Sequence, residues 1–218
     1  MVIKGEERRG FVRAAAAQCV VLLKNEGGAL PLPQCRVAVF GIGQIRTVKG
    51  GTGSGEVNNV SNVSILDGLR ACPVLTVYEP LAAKYEEYDR AHPQPVKQFP
   101  QVADPSSPEM PLSAETAADA AAHADAAIVV ISRVAGEGGD RKIARGDYLL
   151  QQAEVNEIST VCDAFAEKPV KEEKKKGCSG GLNHGGTLAS IAAVAAAGIV
   201  AAARGESKRQ KNKNGGKK

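Results

Sequence analysis

The residue best suited to chemistry is Glu137, a single carboxylate among glycines in the stretch VAGEGGDRKIARGDY (Val134–Tyr148). A carboxyl group on a loop past the end of a strand can act as a general acid and base if its surroundings raise its pKa. Arg141 and Lys142 would oppose that rise if they lay close to it. From composition alone, a solvated loop with an ion pair between Asp140 and Arg141 is the simpler interpretation.

A second candidate is the glycine-rich stretch KGGTGSGEV (Lys49–Val57). Its four glycines, together with Thr52 and Ser54, would let the backbone come close to a polar ligand. A mobile surface linker has the same composition. The stretch therefore indicates a binding loop only if other features of the sequence point to one.

A third pattern, Gly41-Ile-Gly43-Gln-Ile-Arg46, resembles a dinucleotide-binding fingerprint. However, Arg46 stands where the third glycine belongs, and no helical pattern begins there. Glu79 could serve as the ribose-binding acid, but it lies well beyond the usual spacing of about 20 residues. The sequence contains no GxxxxGK[ST], so a P-loop is excluded, and nicotinamide or flavin binding stays an open alternative.

Composition argues against two other classes of function. The five cysteines are widely spaced with no CxxC pair, and the three histidines show no ligand spacing, so we predict no metal site and no cofactor. Residues 204–218 hold seven Lys or Arg and one Glu, a net charge of +6 against +4 for the whole chain, so the remainder carries −2. A mildly acidic body with a basic tail does not suit a nucleic-acid-binding domain.

The elements that must position these residues alternate between strand and helix. Short apolar runs predict strands at 36–41, 74–80 and 126–132, with helical patterns between them. Ser113 is a good N-cap for the Ala-rich helix that follows it. This alternation predicts an α/β fold with a mainly parallel sheet. In the helix after the third strand, the apolar residues predicted to share one face are Val155, Ile158, Cys162 and Phe165.

Several stretches, taken in order, resemble glycoside hydrolase family 3. AAAAQCVVLLKNEGGALPLP resembles the beginning of the α/β sandwich domain of that family, and VAVFGIGQ followed by KGGTGSGEVNNV resembles its next strand and glycine loop. IVVISRVAGEGGDRK and GDYLL resemble a later strand and loop of its bacterial β-glucosidase branch. The resemblance runs from about Arg13 to Phe165. Together with the alternating elements, it implies an incomplete three-layer α/β/α sandwich with a mainly parallel sheet.

By motif position, the resemblance implies that Glu137 is the acid/base of a retaining O-glycosyl hydrolase, and that Asp140 and Arg141 hold its loop in shape. In such enzymes a second carboxylate attacks the sugar and forms a covalent glycosyl intermediate, and this carboxylate lies about 5–5.5 Å from the acid/base carboxyl. In the family, a (β/α)8 barrel supplies that nucleophilic Asp. The implied partners are therefore a β-glucoside or oligosaccharide and a barrel domain or chain. The residues implied to line the mouth of the site are Lys49, Gly50, Gly51, Thr52, Gly53, Ser54 and Gly55.

The sequence departs from the family after the helix at Gln151–Phe165. Where the family continues with another apolar strand, this chain reads AEKPVKEEKKKGCSGG. The sandwich stands first, as in a subgroup with reversed domain order, yet no stretch of barrel length follows it. We therefore expect the chain alone to lack appreciable glycosidase activity. Its sheet is expected to be short of strands, with an exposed edge or apolar face.

Four segments follow from these features. Residues 1–169 are predicted to form the partial sandwich, 170–186 a charged and Gly-rich linker, 187–203 an Ala-rich helix, and 204–218 a basic disordered tail. Residues 177–203 lack Lys, Arg, Asp and Glu, which predicts a helix able to span a bilayer of about 30 Å. Its Ala and Gly content also suits a soluble helix or a disordered tail. The expected location is the membrane or cell surface through this segment, and otherwise the cytoplasm.

Two other functions remain open at this stage. The chain could be a non-catalytic carbohydrate-binding or surface-display module that keeps the old loop. Saturable binding of glucose or cellobiose, unaffected by Glu137→Gln, would favour that function. It could also be a nucleotide-binding α/β domain that uses Gly41–Gly43, which a thermal shift with NAD or FAD would support.

Overall fold

The computed structural model describes residues 5–25, 28–48, 50, 62–94, 108–134, 142–166, 190–193 and 198–203. Helices and strands alternate through most of this part of the chain. In chain order the elements are α1 (Gly5–Gln18), β1 (Cys35–Phe40), α2 (Ile65–Arg70), β2 (Leu75–Val77), α3 (Glu79–Ala91), α4 (Ala114–His123), β3 (Ala126–Ile131), α5 (Gln152–Ala166), β4 (Ser190–Ala193) and β5 (Gly198–Ala203).

The centre of the fold is a sheet with the strand order β2-β1-β3-β5-β4. β1 pairs in parallel with β2 on one side and with β3 on the other, so that Val37 lies opposite both Val77 and Ala126. Most residues of β1 and β3 are buried, as expected for short apolar strands that are covered on both faces. The predicted α/β fold is confirmed, and the parallel part of its sheet consists of the three strands β2, β1 and β3.

Helices cover the two faces of the sheet unequally. On one face, α3, α4 and α5 pack against Ala38, Phe40 and Val129, and the ring of Phe40 meets that of Phe165 edge-on, with the ring centres 6.2 Å apart. On the other face, Leu66 of the short helix α2 packs against side chains of β1 and β3. The described residues therefore form three layers, and the layer on the second face of the sheet consists mainly of the six-residue helix α2.

Side-chain caps set where two of the helices begin. The hydroxyl of Ser113 accepts the backbone N–H of Thr116 at 3.1 Å, which confirms Ser113 as the N-cap of α4. Ser64 accepts the backbone N–H of Asp67, while the Asp67 carboxylate accepts the N–H of Ser64, so α2 begins with a complete capping box. The chain therefore enters both helices at a defined residue.

The helix predicted over residues 187–203 is wrong. The structure has two strands there, β4 and β5, which pair antiparallel with each other. β5 also pairs antiparallel with β3, with Val129 opposite Val200, so β3 is not an edge of the sheet. Alanine favours a helix locally, but Gly198, Ile199 and Val200 do not. Pairing also satisfies backbone groups that an uncovered β3 would leave without partners.

The same finding corrects the expected membrane segment. Across the residues that the structure describes, no helix has the length and apolar character needed to cross a membrane. The transmembrane helix predicted at 187–203 is replaced by the two strands. The predicted linker at 170–186 and basic tail at 204–218 lie outside the described residues.

Candidate functional site

The ends of β1 and β3 meet at one point on the edge of the sheet. Gly41 directly follows β1 with φ +87°, and a Cβ there would lie 2.2 Å from the carbonyl oxygen of Val130. Two residues further on, a Cβ at Gly43 would lie 2.9 Å from that of Ser132. In the strand order β2-β1-β3, the chain leaves β1 towards one side of the sheet and later crosses to the other. A junction of this kind is the usual place for a ligand-binding crevice.

Both loops that the sequence singles out begin near this point. The glycine loop follows β1, and the Glu137 loop follows β3. Of the residues predicted to line the mouth of the site, Gly50 is among the described residues and is exposed. The predicted site residues that lie outside the described part of the chain are Glu137, Asp140, Arg141, Lys49, Gly51, Thr52, Gly53, Ser54 and Gly55.

A buried ion pair closes the root of the Glu137 loop. Arg133 makes two hydrogen bonds to the carboxylate of Glu154, both 2.5 Å long. Arg133 also donates its Nε–H to the backbone carbonyl oxygen of Asp147 at 3.0 Å. The Glu154 carboxylate is 1% exposed and accepts the backbone N–H of Gln151 at 2.8 Å. One ion pair therefore ties both ends of the loop to the start of α5.

The returning part of the Glu137 loop forms a compact turn. The backbone N–H of Lys142 donates to the carboxylate of Asp147 at 2.7 Å. Gly146, at φ +85°, donates its N–H to the carbonyl oxygen of Leu149 at 2.8 Å. These bonds fix the place from which the loop returns to α5.

Thr47 closes the root of the glycine loop. Its hydroxyl oxygen accepts the backbone N–H of Ile65 at 2.9 Å and donates to the carbonyl oxygen of Gly43 at 3.0 Å. A cavity of about 300 Å³ opens between the two described ends of this loop, with Thr47, Asn62 and Ser64 in its wall. Hydroxyl and amide groups of this kind can bind a ligand that is rich in hydroxyl groups.

Two further carboxyl groups accept hydrogen bonds from the backbone N–H groups at the end of β1. Glu157 Oε1 accepts the N–H of Gly41 at 3.0 Å, and Glu109 Oε2 accepts the N–H of Ile42 at 2.8 Å. Tyr85 donates its hydroxyl to Glu157 Oε1. Burial, reinforced by the charge of Glu157, raises the pKa of Glu109 to about 8. Burial also raises the pKa of Glu157 to about 7.

These contacts leave no place for a nucleotide phosphate at the end of β1. A pyrophosphate would need free backbone N–H groups and a helix N-terminus there. The N–H groups of Gly41 and Ile42 are taken by carboxylates, and the turn that follows is a 3₁₀ helix of three residues. Arg46 pairs with Asp89 at 2.5 Å. No group of three His, Cys, Asp or Glu side chains that could hold a metal ion occurs within the described ranges.

The sequence analysis missed the buried carboxylates of α5. Val155, predicted to lie on its apolar face, is 37% exposed. Phe165 is buried as predicted, and the other buried positions of α5 are Glu154, Glu157 and Val161. The signal lay in the spacing, because the two glutamates continue the helical stripe of Val161 and Phe165. A charged side chain on such a stripe indicates a buried carboxylate that needs a partner.

The fold and the two loop roots define the class of protein. It is an α/β sandwich domain that presents two loops from the carboxyl ends of neighbouring parallel strands. Residues 20–180 match the glycosyl hydrolase family 3 C-terminal domain. The chain belongs to this family.

Two curated relatives show how much of a full-length protein the chain represents. It is 38% identical to beta-glucosidase A of Butyrivibrio fibrisolvens over 135 residues, which are 61% of this chain and 16% of the relative. It is 36% identical to a beta-glucosidase of Ruminococcus albus over 153 residues, 69% of this chain and 16% of the relative. The chain therefore spans a small fraction of the length of both relatives.

Solved structures share the same fold. A beta-glucosidase from Paenibacillus barengoltzii aligns with a TM-score of 0.71 and 39% identity over 76% of this chain and 18% of that one. Beta-glucosidase 3B of Thermotoga neapolitana, solved in complex with α-D-glucose, aligns with a TM-score of 0.66 and 40% identity. That alignment covers 74% of this chain and 23% of the Thermotoga chain.

Proposed function

We propose that this chain is the sandwich part of a retaining, β-glucosidase-like glycoside hydrolase. Glu137 acts as the acid/base, and the loop from Lys49 to Gly55 lines the mouth of the site. The observation that carries the proposal is the contact between the two loop roots at Gly43 and Ser132. Loops that leave the sheet from one point can reach the same bound sugar.

Each step of the proposed reaction has a group in a stated role. Glu137 first protonates the leaving oxygen while a nucleophilic carboxylate attacks the sugar, and it then takes a proton from the water that releases the product. Asp140 and Arg141 hold the shape of the loop, and the pair of Arg133 and Glu154 anchors its root. The two reacting carboxylates must lie about 5–5.5 Å apart, so the position of the loop controls the rate.

The nucleophile would come from a (β/α)8 barrel, either as another domain or as a separate chain. The substrate would be a β-glucoside or an oligosaccharide. Exposed apolar side chains support a missing contact partner: Phe11 is 69% exposed, Val12 61%, and residues 20–23 are between 52 and 67% exposed. Apolar surface of this kind is typical of an interaction site. We therefore expect the full chain to be inactive by itself.

The test measures hydrolysis of a chromogenic β-glucoside by the full chain, by a chimera with a full-length relative, and by variants of both. The full chain and its Glu137→Gln variant should both lack turnover. Residues 20–166 are then placed in Thermotoga neapolitana beta-glucosidase 3B in exchange for its matching segment. That chimera should be active, and Glu137→Gln within it should lower kcat by about 10²–10⁴-fold. Glu115→Gln, which changes an exposed glutamate, is the matched control.

Azide distinguishes an acid/base from a structural residue in this chimera. The anion attacks the glycosyl intermediate without a general base, so it should restore turnover of the Glu137→Gln chimera on a substrate with a good leaving group. A Glu137→Gln chimera as active as its parent would overturn the assignment. Saturable glucose binding by the full chain, unchanged by Glu137→Gln, would instead favour a carbohydrate-binding module.

A further inference from the structure

A short segment crosses the carboxyl end of β1, where its Leu112 packs partly buried against the core. This segment, residues 108–113, is called the strap below. Its Glu109 places Oε2 on the backbone N–H of Ile42 at 2.8 Å, and its Glu109 carbonyl oxygen accepts the hydroxyl of Tyr88 at 3.2 Å. Met110 packs partly buried against the core that contains Phe40. The Glu109 side chain is thus the strap's hydrogen-bonded link to the root of the glycine loop.

Glu157 faces the same turn from α5. Its Oε1 takes the N–H of Gly41, the residue directly before the one that Glu109 contacts. Its Oε2 is buried and has no hydrogen-bond partner among the described residues. An ionised carboxylate with a buried oxygen that accepts no hydrogen bond is unfavourable, because the charge leaves water without gaining a partner in the protein. A neutral carboxyl avoids much of that cost.

The other groups around this pair do not supply a free positive charge. Glu154 of α5 and Arg133 after β3 neutralise each other in their bidentate pair. α3 contributes Tyr85 and Tyr88, which are hydroxyl donors, and α4 faces the same core with alanines. The hydroxyl of Tyr85 donates to Glu157 and so favours the ionised form of that carboxyl. Glu157 therefore ionises more readily than Glu109, which keeps its proton to a higher pH.

We propose that Glu109 and Glu157 form a protonation-controlled latch. While at least one of the two carboxyls carries a proton, the strap stays seated over the end of β1. When both ionise, their repulsion in a buried site releases the strap and uncovers the turn that leads into the glycine loop. The latch stands on described contacts alone, so it can hold or fail independently of the proposed function.

The direction of the pH effect follows from the raised pKa values. Glu109, with its pKa raised to about 8, keeps its proton in the folded chain at neutral pH, whereas an exposed glutamate does not. The strap should therefore be seated at pH 6 and released as the pH rises towards 9. Release requires both carboxyls to ionise, so the change should centre near the higher of the two pKa values, about 8 for Glu109.

The chain contains two methionines, which makes the strap directly observable. The full chain is labelled with [methyl-¹³C]methionine, and its two signals are followed from pH 5.5 to 9 while far-UV circular dichroism is recorded. The Met110 signal should move from a packed position towards the free-methionine position as the pH rises, with the dichroism unchanged. The Met1 signal serves as the internal reference.

Variants connect this movement to the two carboxyls. Glu109→Gln keeps the shape of the side chain and cannot ionise, so the Met110 signal should stay in place up to pH 9. Glu157→Gln removes the partner charge, so no repulsion can develop and the Met110 signal should again stay in place, which keeps the test usable if one variant fails to fold. Glu115→Gln should titrate like the parent. A Met110 signal that never moves in the parent chain, that moves there only as the dichroism is lost, or that moves in both Gln variants as it does in the parent would overturn the latch.

Discussion

Gly41 lies so close to Val130 that a Cβ on Gly41 would stand 2.2 Å from the Val130 carbonyl oxygen. No side chain fits in that space. The positive φ of +87° adds a second reason for glycine at this position. The close approach brings the ends of β1 and β3 together, and with them the roots of both candidate loops.

Gly41→Ala should therefore destabilise the chain strongly. The methyl group meets backbone atoms that cannot rotate away, and the positive φ alone costs on the order of 1–2 kcal/mol. We expect a loss of more than about 2 kcal/mol in the free energy of unfolding, measured by equilibrium urea denaturation. Gly68→Ala is the matched control, because Gly68 lies in α2 with nothing within 4 Å of its Cβ position. It should be neutral or stabilise the chain by about 0.5–1 kcal/mol, and equal losses in both variants would contradict the steric argument.

The buried pair of Arg133 and Glu154 should be far more important than an exposed pair. Arg133→Met leaves the carboxylate of Glu154, 1% exposed, without its counter-charge. Removing one partner of such a pair costs about 3–5 kcal/mol. Arg70→Met breaks ion pairs whose side chains are 31–56% exposed and should cost about 1 kcal/mol or less. The free energy of unfolding of both variants can be measured by urea denaturation. Similar decreases in the two variants would show that burial does not make the Arg133–Glu154 pair more important for stability.

Global stability should fall as the pH rises from 5 to 8. The folded chain holds a proton on Glu109 up to about pH 8, while the unfolded chain releases it near the ordinary value of 4.5. The folded state thus binds more protons across this window, so the unfolding free energy declines with pH, by up to about 1.4 kcal/mol per pH unit for each proton. Glu109→Gln should reduce this slope in urea titrations at pH 5, 6, 7 and 8. An unchanged slope would assign the pH dependence to other groups, and Glu115→Gln shows the slope expected of a neutral control.

Removal of the strand β5 should promote self-association of the chain. A chain shortened to residues 1–186 loses the partner of β3 along the register from Ala127 to Ile131. An uncovered strand edge pairs readily with another chain. Size-exclusion chromatography with light scattering should show concentration-dependent association of this form. Removal of residues 204–218 alone should leave the association state of the full chain unchanged, and a 1–186 form that associates no more than the full chain would count against the pairing.

The strands β1 and β3 were predictable because their information is local. The strand predicted at 74–80 is shorter than expected, because β2 ends at Val77 and α3 begins at Glu79. Each of β1 and β3 is a short apolar run ended by a polar or glycine residue, and the structure places both within a residue of the prediction. The C-terminal segment failed for the opposite reason. Its alanines favour a helix locally, but its conformation is set by pairing with β3, about 70 residues earlier in the chain.

The candidate site was predictable in part. The strand ends located both loops, but the contact of Gly43 with Ser132 depends on the register between β1 and β3, which residue spacing does not contain. The sequence analysis did not predict the buried glutamates of α5. Their burial depends on partners from other elements, such as Arg133 for Glu154 and the Gly41 N–H for Glu157.

The antiparallel direction of β5 has a practical consequence for fusing this protein to a partner or attaching it to a surface. β5 begins beside Ile131, near the loop roots, and runs back to Ala202 beside Ala127. The chain therefore leaves the sheet at Ala203 on the end opposite Gly41 and Ser132. A tag, bead or fusion partner joined directly to Ala203 would start at the end of the sheet opposite the candidate loops, so immobilisation at this residue should leave them open to ligand.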